Sequence, residues 1–308
     1  MSNSQSENIK KEYDVTLPPI LKKYGFSLKN HIFRYRPEDS KKNNTNYTTE
    51  EITHNKIWHS SVSLLNDPFE LFFKRNTNEM DDISDDDLFF LWLHLLKNNQ
   101  IKIYENSINE IDAKISFYIN KEKIKLDISK AINLPVLDLI NEIRERVCIS
   151  CFTKACDSRL MWGYYCHGLA GLCLIYNKEK LKKNGLKLVK VEYSEERPIV
   201  NLCQHVVDFN RDKKVEFMER ILISKHSEWE HEQEFRSMTF LFNDHADLKG
   251  KVELLDENCI DGIIIGNGCS NEMSIKKIKK YSKDNGIKLF KAKANLDDYI
   301  IEIDEEKD

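Results

Sequence analysis

The sequence has no apolar run long enough to cross a membrane. Its longest apolar stretches, such as residues 88–96, contain a histidine and fall well short of the roughly 18 residues that a span requires. Residues 1–11 are polar, so they lack the apolar core of a signal peptide or an anchor. We therefore predict a cytoplasmic protein without a membrane partner.

An excess of positive charge is also missing. The 308 residues include 47 Lys and Arg against 51 Asp and Glu, for a net charge of −4. Nucleic-acid-binding domains usually carry a basic face, so the net charge does not indicate a nucleic-acid partner, although a local basic groove stays open. The P-loop and dinucleotide-binding fingerprints are absent as well, and Gly168 and Gly171 alone do not form a phosphate loop.

Local metal-binding motifs are missing too. Cys148 and Cys151 form the one C-x-x-C, but they lie in a predicted buried strand, where residues three apart face opposite sides. No second C-x-x-C follows, and the histidines show no H-E-x-x-H spacing. We therefore expect eight reduced cysteines and name no metal ligand or certain cofactor, while a metal triad assembled from distant segments stays open.

The residues that are present favour an α+β fold with a mixed, mainly antiparallel sheet and flanking helices. Hydrophobic residues make up 41% of the chain, enough for a sizeable core. Strands are predicted at residues 31–36, 56–60, 147–152, 168–176, 186–193, 234–242, 260–265 and 287–292. Helices are predicted near 48–54, 88–95, 101–120, 129–146, 158–165, 212–224 and 270–283.

No repeat or Gly/Ser linker divides the chain, so we predict one main domain. A leader with a short helix occupies residues 1–30, and the α+β domain spans 31–300. The strand-rich character gives way to helical patterns at about 79–146, which we interpret as a helical insertion. Residues 301–308 are predicted to be an acidic tail.

Five stretches contain polar side chains that plain structure does not require. They are Phe33-Arg-Tyr-Arg36, Ser63-Leu-Leu-Asn-Asp-Pro-Phe-Glu70, the segment Cys151–Gly171, Lys225-x-x-x-Trp229-x-x-Glu-Gln-Glu-Phe-Arg236 and Asp261-Gly-Ile-Ile-Ile-Gly266. In this order they resemble a bacterial family catalogued as domain of unknown function 2971, over about residues 31–290 without the helical insertion. The resemblance implies a bacterial cytosolic protein, often in a mobile-element or phage-defence setting, and supplies no activity.

Strand periodicity places several charges together. Alternate residues of a strand share a face, so Glu232, Glu234 and Arg236 are expected on one face, and Arg34 and Arg36 on one face of their own strand. A buried charge costs several kcal/mol unless it is paired. The charges therefore indicate either a binding site or structural ion pairs, in which Arg36 would simply bridge a glutamate.

The Asn66-Asp67-Pro68 motif is turn chemistry, because Asx side chains bond the backbone and proline restrains the turn. Structural and functional roles both stay open for Asn66 and Asp67. Glu70 lies in an apolar run, where a carboxylate needs a cation, a bound ligand or a proton.

We expect the unusual residues to converge on one cleft, with Glu70 and Glu234 on the same side of the fold. The predicted catalytic residues are Glu70, Glu232 and Glu234. The predicted substrate-binding residues are Arg34, Arg36, Ser60, Ser61, Asn66, Asp67, Trp162, Tyr165, Lys225, Trp229 and Arg236.

The order of three elements is similar to that of ADP-ribosyltransferases of the arginine–serine–glutamate type. Arg36 or Arg34 comes first, the serines near residue 60 follow, and Glu232-x-Glu234 comes late. The resemblance implies NAD as a small-molecule nucleotide substrate: arginine binds phosphate, serine holds the nicotinamide ribose, and glutamate stabilises an oxocarbenium-like charge. The Asn-Asp-Pro-Phe-Glu motif is not a feature of those enzymes, and the interval from serine to glutamate is long.

Two other functions stay open. In a metal-dependent nuclease or phosphodiesterase, Asp67, Glu70, Glu232 and Glu234 would bind Mg²⁺, and Lys225 or Arg236 would bind phosphate. In a non-catalytic sensor, the cleft would bind a nucleotide or a partner without turnover.

Overall fold

The computed structural model describes residues 16–40, 46–98, 110–210, 217–241 and 249–306. None of the helices in these ranges is long and apolar enough to cross a bilayer. The helices are α1 (Pro19–Lys23), α2 (Tyr47–Thr53), α3 (Glu79–Asp82), α4 (Asp85–Lys97), α5 (Glu110–Ile119), α6 (Lys121–Arg146), α7 (Arg159–Tyr165), α8 (Lys178–Lys183), α9 (Leu202–Asn210), α10 (Phe217–Ile223) and α11 (Glu272–Asp284). Short 3₁₀ helices span Val62–Leu64 and Ser227–Glu232.

The strands form one large sheet and two small ones. They are β1 (His31–Pro37), β2 (Lys56–Ser61), β3 (Lys74–Arg75), β4 (Val147–Thr153), β5 (Gly171–Asn177), β6 (Val189–Lys190), β7 (Glu192–Ser194), β8 (Ile199–Val200), β9 (Ser224–His226), β10 (Glu234–Phe240), β11 (Gly250–Leu254), β12 (Ile260–Gly266), β13 (Lys288–Asn295) and β14 (Ile300–Glu305). The large sheet has the order β11-β2-β4-β1-β5-β12-β13-β14, with β10 on β4 and β6 on β10.

Most pairs in the large sheet are antiparallel, while β12 and β13 are parallel. The predicted α+β class with a mixed, mainly antiparallel sheet is therefore confirmed. The sequence of β5 is an almost continuous apolar run, because both faces of this strand are buried. Leu172 and Leu174 pack on the side of α2, α8 and α11, and Cys173 and Ile175 pack on the side of α1 and α7.

The large sheet forks at β4, because two strands, β1 and β2, pair with the same edge of β4 at different positions. One edge of β4 pairs with β1 at a single position, Phe33 opposite Thr153. Further along the same strand, β4 pairs with β2, with Ser60 opposite Ile149. Its other edge pairs with β10 over seven positions, which place Glu234 opposite Thr153. The gap between β1 and β2 leaves space beside this edge of β4. Glu234 lies on β10, which pairs with the opposite edge of β4.

A helical layer packs beside this forked part of the sheet. Ser84 caps the N-terminus of α4, because its hydroxyl oxygen accepts the Asp87 N–H at 3.1 Å. The apolar face of α4, including Leu88 and Leu91, is buried against α6 and α9. The predicted helix at 88–95 is confirmed, and the part of the next predicted helix at 101–109 lies outside the described residues.

Several predicted boundaries differ from the structure. The predicted acidic tail at 301–308 contains most of β14, which pairs with β13 along six positions, so these residues extend the sheet. The predicted strand at 186–193 is replaced by β6 and part of β7. In the predicted leader, α1 is the short helix, and residues 1–15 lie outside the described ranges, as does 211–216 before α10.

Candidate functional site

Arg236 is the centre of a buried ion-pair network. Its side chain on β10 is fully buried, with 0% exposure. Nε donates to Glu234 Oε1 at 2.9 Å, and Nη1 and Nη2 donate to the two oxygens of Glu70 at 3.0 and 2.6 Å. Nη1 also donates to the Leu222 carbonyl at 2.9 Å. One guanidinium thus joins the two glutamates that we expected on the same side of the fold.

Lys225 on β9 adds a second cation. Its Nζ donates to Glu232 Oε2 at 2.5 Å and to Glu234 Oε2 at 3.0 Å, and it lies 3.7 Å from Glu70 Oε1. The same ammonium lies 4.9 Å from the centroid of the Trp229 ring, a cation–π contact. We call the five charged residues the Arg236 cluster: Glu70, Lys225, Glu232, Glu234 and Arg236.

The backbone at Gln233 explains how Glu232 and Glu234 meet. We predicted both glutamates on one strand face, and this is wrong for Glu232, which ends a 3₁₀ helix. Gln233 has φ 46° and ψ 47°, the left-handed region that few non-glycine residues adopt. β10 begins only at Glu234. The two carboxylates meet because Lys225 binds both, and strand alternation plays no part.

Glu70 is placed by the turn that precedes it. Asp67 Oδ1 accepts the Phe69 N–H at 2.9 Å, and the Glu70 N–H donates to the Asp67 carbonyl at 3.3 Å. Leu71, the next residue, has φ 63°, a left-handed conformation that costs on the order of 1–3 kcal/mol. Such a conformation persists only where the surroundings enforce it, and the two-pronged contact between Glu70 and Arg236 does so here.

The charges of the cluster shift the pKa values of its members in different directions. Burial alone would raise the pKa of Glu234, but Arg236 and Lys225 outweigh burial and hold that pKa far below its ordinary value. Burial and the nearby Glu234 raise the pKa of Glu70. Burial alone would lower the pKa of Lys225, but the three glutamates raise it. Glu234 therefore stays ionised and Lys225 stays protonated at neutral pH.

Tyr165 on α7 extends the network toward the surface. Its hydroxyl donates to Glu232 Oε1 at 2.6 Å and accepts from Asn66 Nδ2 at 2.9 Å. Burial raises the pKa of Tyr165, and Glu232 raises it further, so the phenol stays protonated. On the other side, the Glu234 N–H donates to the Tyr193 hydroxyl at 2.8 Å.

A cavity of about 260 Å³, here called the fork cavity, lies between β1 and β2. Its lining includes residues of both strands and members of the Arg236 cluster: Arg34, Arg36, Trp58, Ser60, Cys151, Tyr165, Glu232 and Glu234. Arg34 crosses the fork, because its Nη2 donates to the Trp58 carbonyl at 2.7 Å. The predicted arginines, one predicted serine and two predicted glutamates thus line the same cavity.

The arginines of β1 have a carboxylate partner that sequence reasoning missed. Glu51 on α2 lies 3.0 Å from Arg36 Nε and 3.4 Å from Arg34 Nε, and it accepts a hydrogen bond from Tyr176 at 2.8 Å. We call these four residues the Glu51 cluster. The terminal nitrogens of Arg36 have no hydrogen-bond partner among the described residues, although its side chain is only 16% exposed. Burial lowers the pKa of Arg36, and Glu51 partly offsets this.

Seven of the eleven predicted binding residues are not part of the lining of the fork cavity: Ser61, Asn66, Asp67, Trp162, Lys225, Trp229 and Arg236. The Ser61 hydroxyl contacts Ser63 at 2.9 Å. Trp162 is buried in the core, where its Nε1 donates to the Cys156 carbonyl at 3.0 Å. Asp67 lines a second cavity of about 360 Å³, together with Phe69, Phe72, Arg197, Lys225 and Trp229. We call it the Asp67 cavity, and Lys225 links it to the glutamates that line the fork cavity.

Sequence reasoning also missed Trp58, Cys151 and Tyr193. Trp58 alternates with Ser60 on β2, so strand periodicity could have identified it. Cys151 begins one of the five motifs, but the sequence assigns it no binding role. Tyr193 is aligned with Lys225 by the small β7–β9 sheet. Glu51 belongs to a short polar helix, where no sequence pattern distinguishes a buried carboxylate from an exposed one.

The cluster carboxylates already have cationic partners. Oxygens of Glu70, Glu232 and Glu234 accept hydrogen bonds from Lys225 and Arg236, which occupy positions that a divalent cation would need. Within the described ranges, no three His, Cys, Asp or Glu side chains are grouped to hold a metal ion. The geometry therefore favours chemistry that uses the carboxylates as charges in their own right.

The comparison with family models supports the family that the motifs resemble. Residues 161–237 match the model of a family described as Protein of unknown function (DUF2971). No curated protein and no solved structure matches the chain. The matched segment includes Tyr165, Lys225, Trp229 and the glutamates of the Arg236 cluster other than Glu70. Residues 161–237 are thus similar to this family, and this segment supplies most of the Arg236 cluster.

Proposed function

We propose that the fork cavity binds the nicotinamide-ribose half of NAD and that the protein cleaves the bond between nicotinamide and ribose. The observation that carries this proposal is the fork cavity itself. Its lining brings Arg36, whose terminal nitrogens have no hydrogen-bond partner among the described residues, together with the carboxylates of Glu232 and Glu234. A cavity of about 260 Å³ suits one nucleoside-sized half of a dinucleotide and not the whole molecule.

Arg36 is suited to bind the diphosphate. Phosphate oxygens accept hydrogen bonds from the planar fork of a guanidinium, and the two terminal nitrogens of Arg36 have no protein partner within the described residues. Glu51 Oε2 lies 3.0 Å from Nε of the same guanidinium, so an ion pair attracts the side chain on the edge away from the proposed ligand. Ser60, on the opposite arm of the fork, would donate or accept a hydrogen bond at a ribose hydroxyl.

Glu234 and Glu232 are suited to stabilise the transition state. When the C1′–N bond breaks, its electron pair moves to the cationic pyridinium nitrogen, and nicotinamide leaves as a neutral molecule. No acid is needed for that departure. Positive charge develops on the ribose, and a fixed carboxylate charge stabilises it. The depressed pKa of Glu234 ensures that this charge is present at neutral pH.

The reaction is completed by a nucleophile at C1′. Water gives ADP-ribose and releases one proton, and a hydroxyl or amine of another molecule gives an ADP-ribosylated product with the same release. NAD consumption of this kind is consistent with the cytoplasmic, phage-defence setting that the family resemblance implies. The acceptor distinguishes a glycohydrolase from a transferase.

The test is incubation of the purified protein with NAD, with and without EDTA, while nicotinamide release is measured. We expect release in both conditions, because the carboxylates act through their charge. No release in either condition, combined with no NAD-dependent shift of the melting temperature, would contradict the proposal. A melting shift without release indicates the non-catalytic sensor, and nucleic-acid cleavage that EDTA abolishes indicates the metal-dependent nuclease.

A further inference from the structure

The Asp67 cavity has the size of a ligand site and is separate from the fork cavity. Its volume of about 360 Å³ falls in the range of roughly 300–1,000 Å³ that small-molecule sites occupy. Its polar and aromatic groups come from four segments: the turn with Asp67 and Phe69, the loop with Glu196 and Arg197, strand β9 with Lys225, and the 3₁₀ helix with Trp229. The proposed NAD cleavage assigns no role to Asp67, Phe69 or Arg197.

Asp67 is a buried carboxylate that lines the cavity. The residue is only 4% exposed, and Oδ1 accepts the Phe69 N–H at 2.9 Å. Oδ2 has no hydrogen-bond partner among the described residues. A carboxylate oxygen beside a cavity can accept an N–H from a ligand.

Aromatic rings provide flat surfaces in the same cavity. Phe69 is 60% exposed, which is unusual for a large apolar side chain beside a cavity. Phe72 and Trp229 are half-buried there. Stacking of a nucleobase on an aromatic ring contributes about 1–3 kcal/mol per base and requires only a planar ligand.

Arg197 gives the cavity an exposed positive charge. Its guanidinium lies 4.9 Å from the Phe69 ring centroid and 5.7 Å from that of Phe72. Stacking of this kind orients the guanidinium while its N–H groups stay available, and it has no carboxylate partner among the described residues. A phosphate near the rim would therefore find a donor next to the base-stacking surface.

We propose that the Asp67 cavity binds a purine mononucleotide that carries an exocyclic amino group. The amino group donates to Asp67 Oδ2, the base stacks on Phe69, and the phosphate contacts Arg197. This site is distinct from the fork cavity and does not depend on NAD cleavage. Because Lys225 lines the Asp67 cavity and binds Glu232 and Glu234, a nucleotide there would lie directly behind the residues of the fork cavity.

The test is calorimetric titration of the full chain with AMP and with purine riboside 5′-monophosphate, which lacks the amino group. We expect saturable binding of AMP and at least tenfold weaker binding of the analogue. Asp67→Asn keeps an Asx side chain for the Phe69 N–H, so the turn is preserved. It should weaken AMP binding about tenfold and leave the analogue almost unchanged.

Further variants separate the contacts. Phe69→Ala, at an exposed position, should weaken both ligands equally, and Arg197→Ala should weaken AMP more than adenosine. Leu254→Ala, at an exposed position that lines neither cavity, is the control and should change neither affinity. No saturable AMP binding at millimolar concentration, or an equal loss of both ligands in Asp67→Asn, would overturn the proposal. Each outcome is read without NAD, so it is independent of nicotinamide release.

Discussion

The Arg236 cluster and the Glu51 cluster both contribute residues to the lining of the fork cavity. Carboxylates are in excess in the first cluster, and guanidiniums are in excess in the second. The Arg236 cluster contains three carboxylates and two cations, and the Glu51 cluster contains one carboxylate in contact with two guanidiniums. Every polar group of Arg236 is used within the protein, whereas the terminal nitrogens of Arg36 have no partner in the described part of the chain. A cavity with excess negative charge on one side and excess positive charge on another suits a ligand that contains both signs, as NAD does.

The comparison also separates structure from binding. A guanidinium with all its donors satisfied, at 0% exposure, holds the fold together, and its removal leaves buried carboxylates without a partner. A guanidinium with unsatisfied donors beside a cavity contributes less to stability and is available to a ligand. Substitutions in the two clusters should therefore differ in their effects on stability and on NAD turnover.

Arg236→Met should destabilise the protein by about 3–5 kcal/mol, because Glu70 and Glu234 would remain buried without their main cation. Arg36→Met should cost clearly less, since Arg36 contributes one ion pair to Glu51 and is partly exposed. The free energies of unfolding come from urea denaturation of both variants. Equal losses would show that the two clusters do not differ in the way that the geometry indicates.

Glu234→Gln keeps the shape of the side chain and removes the charge that faces the developing cation. Turnover of NAD should fall about a hundredfold or more, which corresponds to roughly 3 kcal/mol. Glu230→Gln is the matched control, because it lies on the same segment and its side chain is outside the Arg236 cluster. Nicotinamide release is measured at saturating NAD, and a similar rate in the two variants would remove Glu234 from the mechanism.

Arg36→Lys keeps a positive charge and loses the planar fork that binds phosphate oxygens. The KM for NAD should rise about tenfold while kcat changes by a factor of about two or less, since Arg36 contributes mainly ground-state binding. Steady-state kinetics with NAD measure both constants. A fall of kcat with unchanged KM would assign Arg36 to the transition state instead.

The smallest effect concerns pH. Glu234 has a depressed pKa in the folded protein, so its ion pairs contribute stability that is fully present above its unfolded pKa of about 4.3 and is lost as pH falls toward the folded value. The stability gap between the natural protein and Glu234→Gln should therefore be constant from pH 8 to about pH 5 and shrink below that. Urea denaturation at pH 7 and near pH 3.5 measures the gap. A gap that widens in acid would contradict the depressed pKa.

Much of the site could be predicted because burying its charged side chains in an ordinary apolar core costs free energy. Glu70 in an apolar run and Glu234 with Arg236 on one strand face required a partner, and the partner proved to be Arg236 for both glutamates. The interpretation of Asn66-Asp67-Pro68 as a turn also agrees with the Asp67 contact to the Phe69 N–H. In each case the reason is local, since burial cost and turn chemistry depend on neighbouring residues.

Other features depend on segments that are distant in the sequence. Glu51 gives no signal in its own helix, yet it pairs with both arginines of β1 because α2 packs on that face of the sheet. The course of the chain at Gln233 also departs from strand alternation, because Lys225 holds Glu232 and Glu234 together from another strand.

The sequence by itself determined the α+β class, the motif residues and most of the strands, because hydrophobic periodicity and the cost of buried charge are local properties. The tertiary structure alone decided which charges pair and where space remains. The fork between β1 and β2 arises from the register of both strands against β4, and no single segment specifies it. Because that fork brings Arg36, Ser60 and Glu234 to one cavity, the site is a property of the sheet's pairing and not of any one motif.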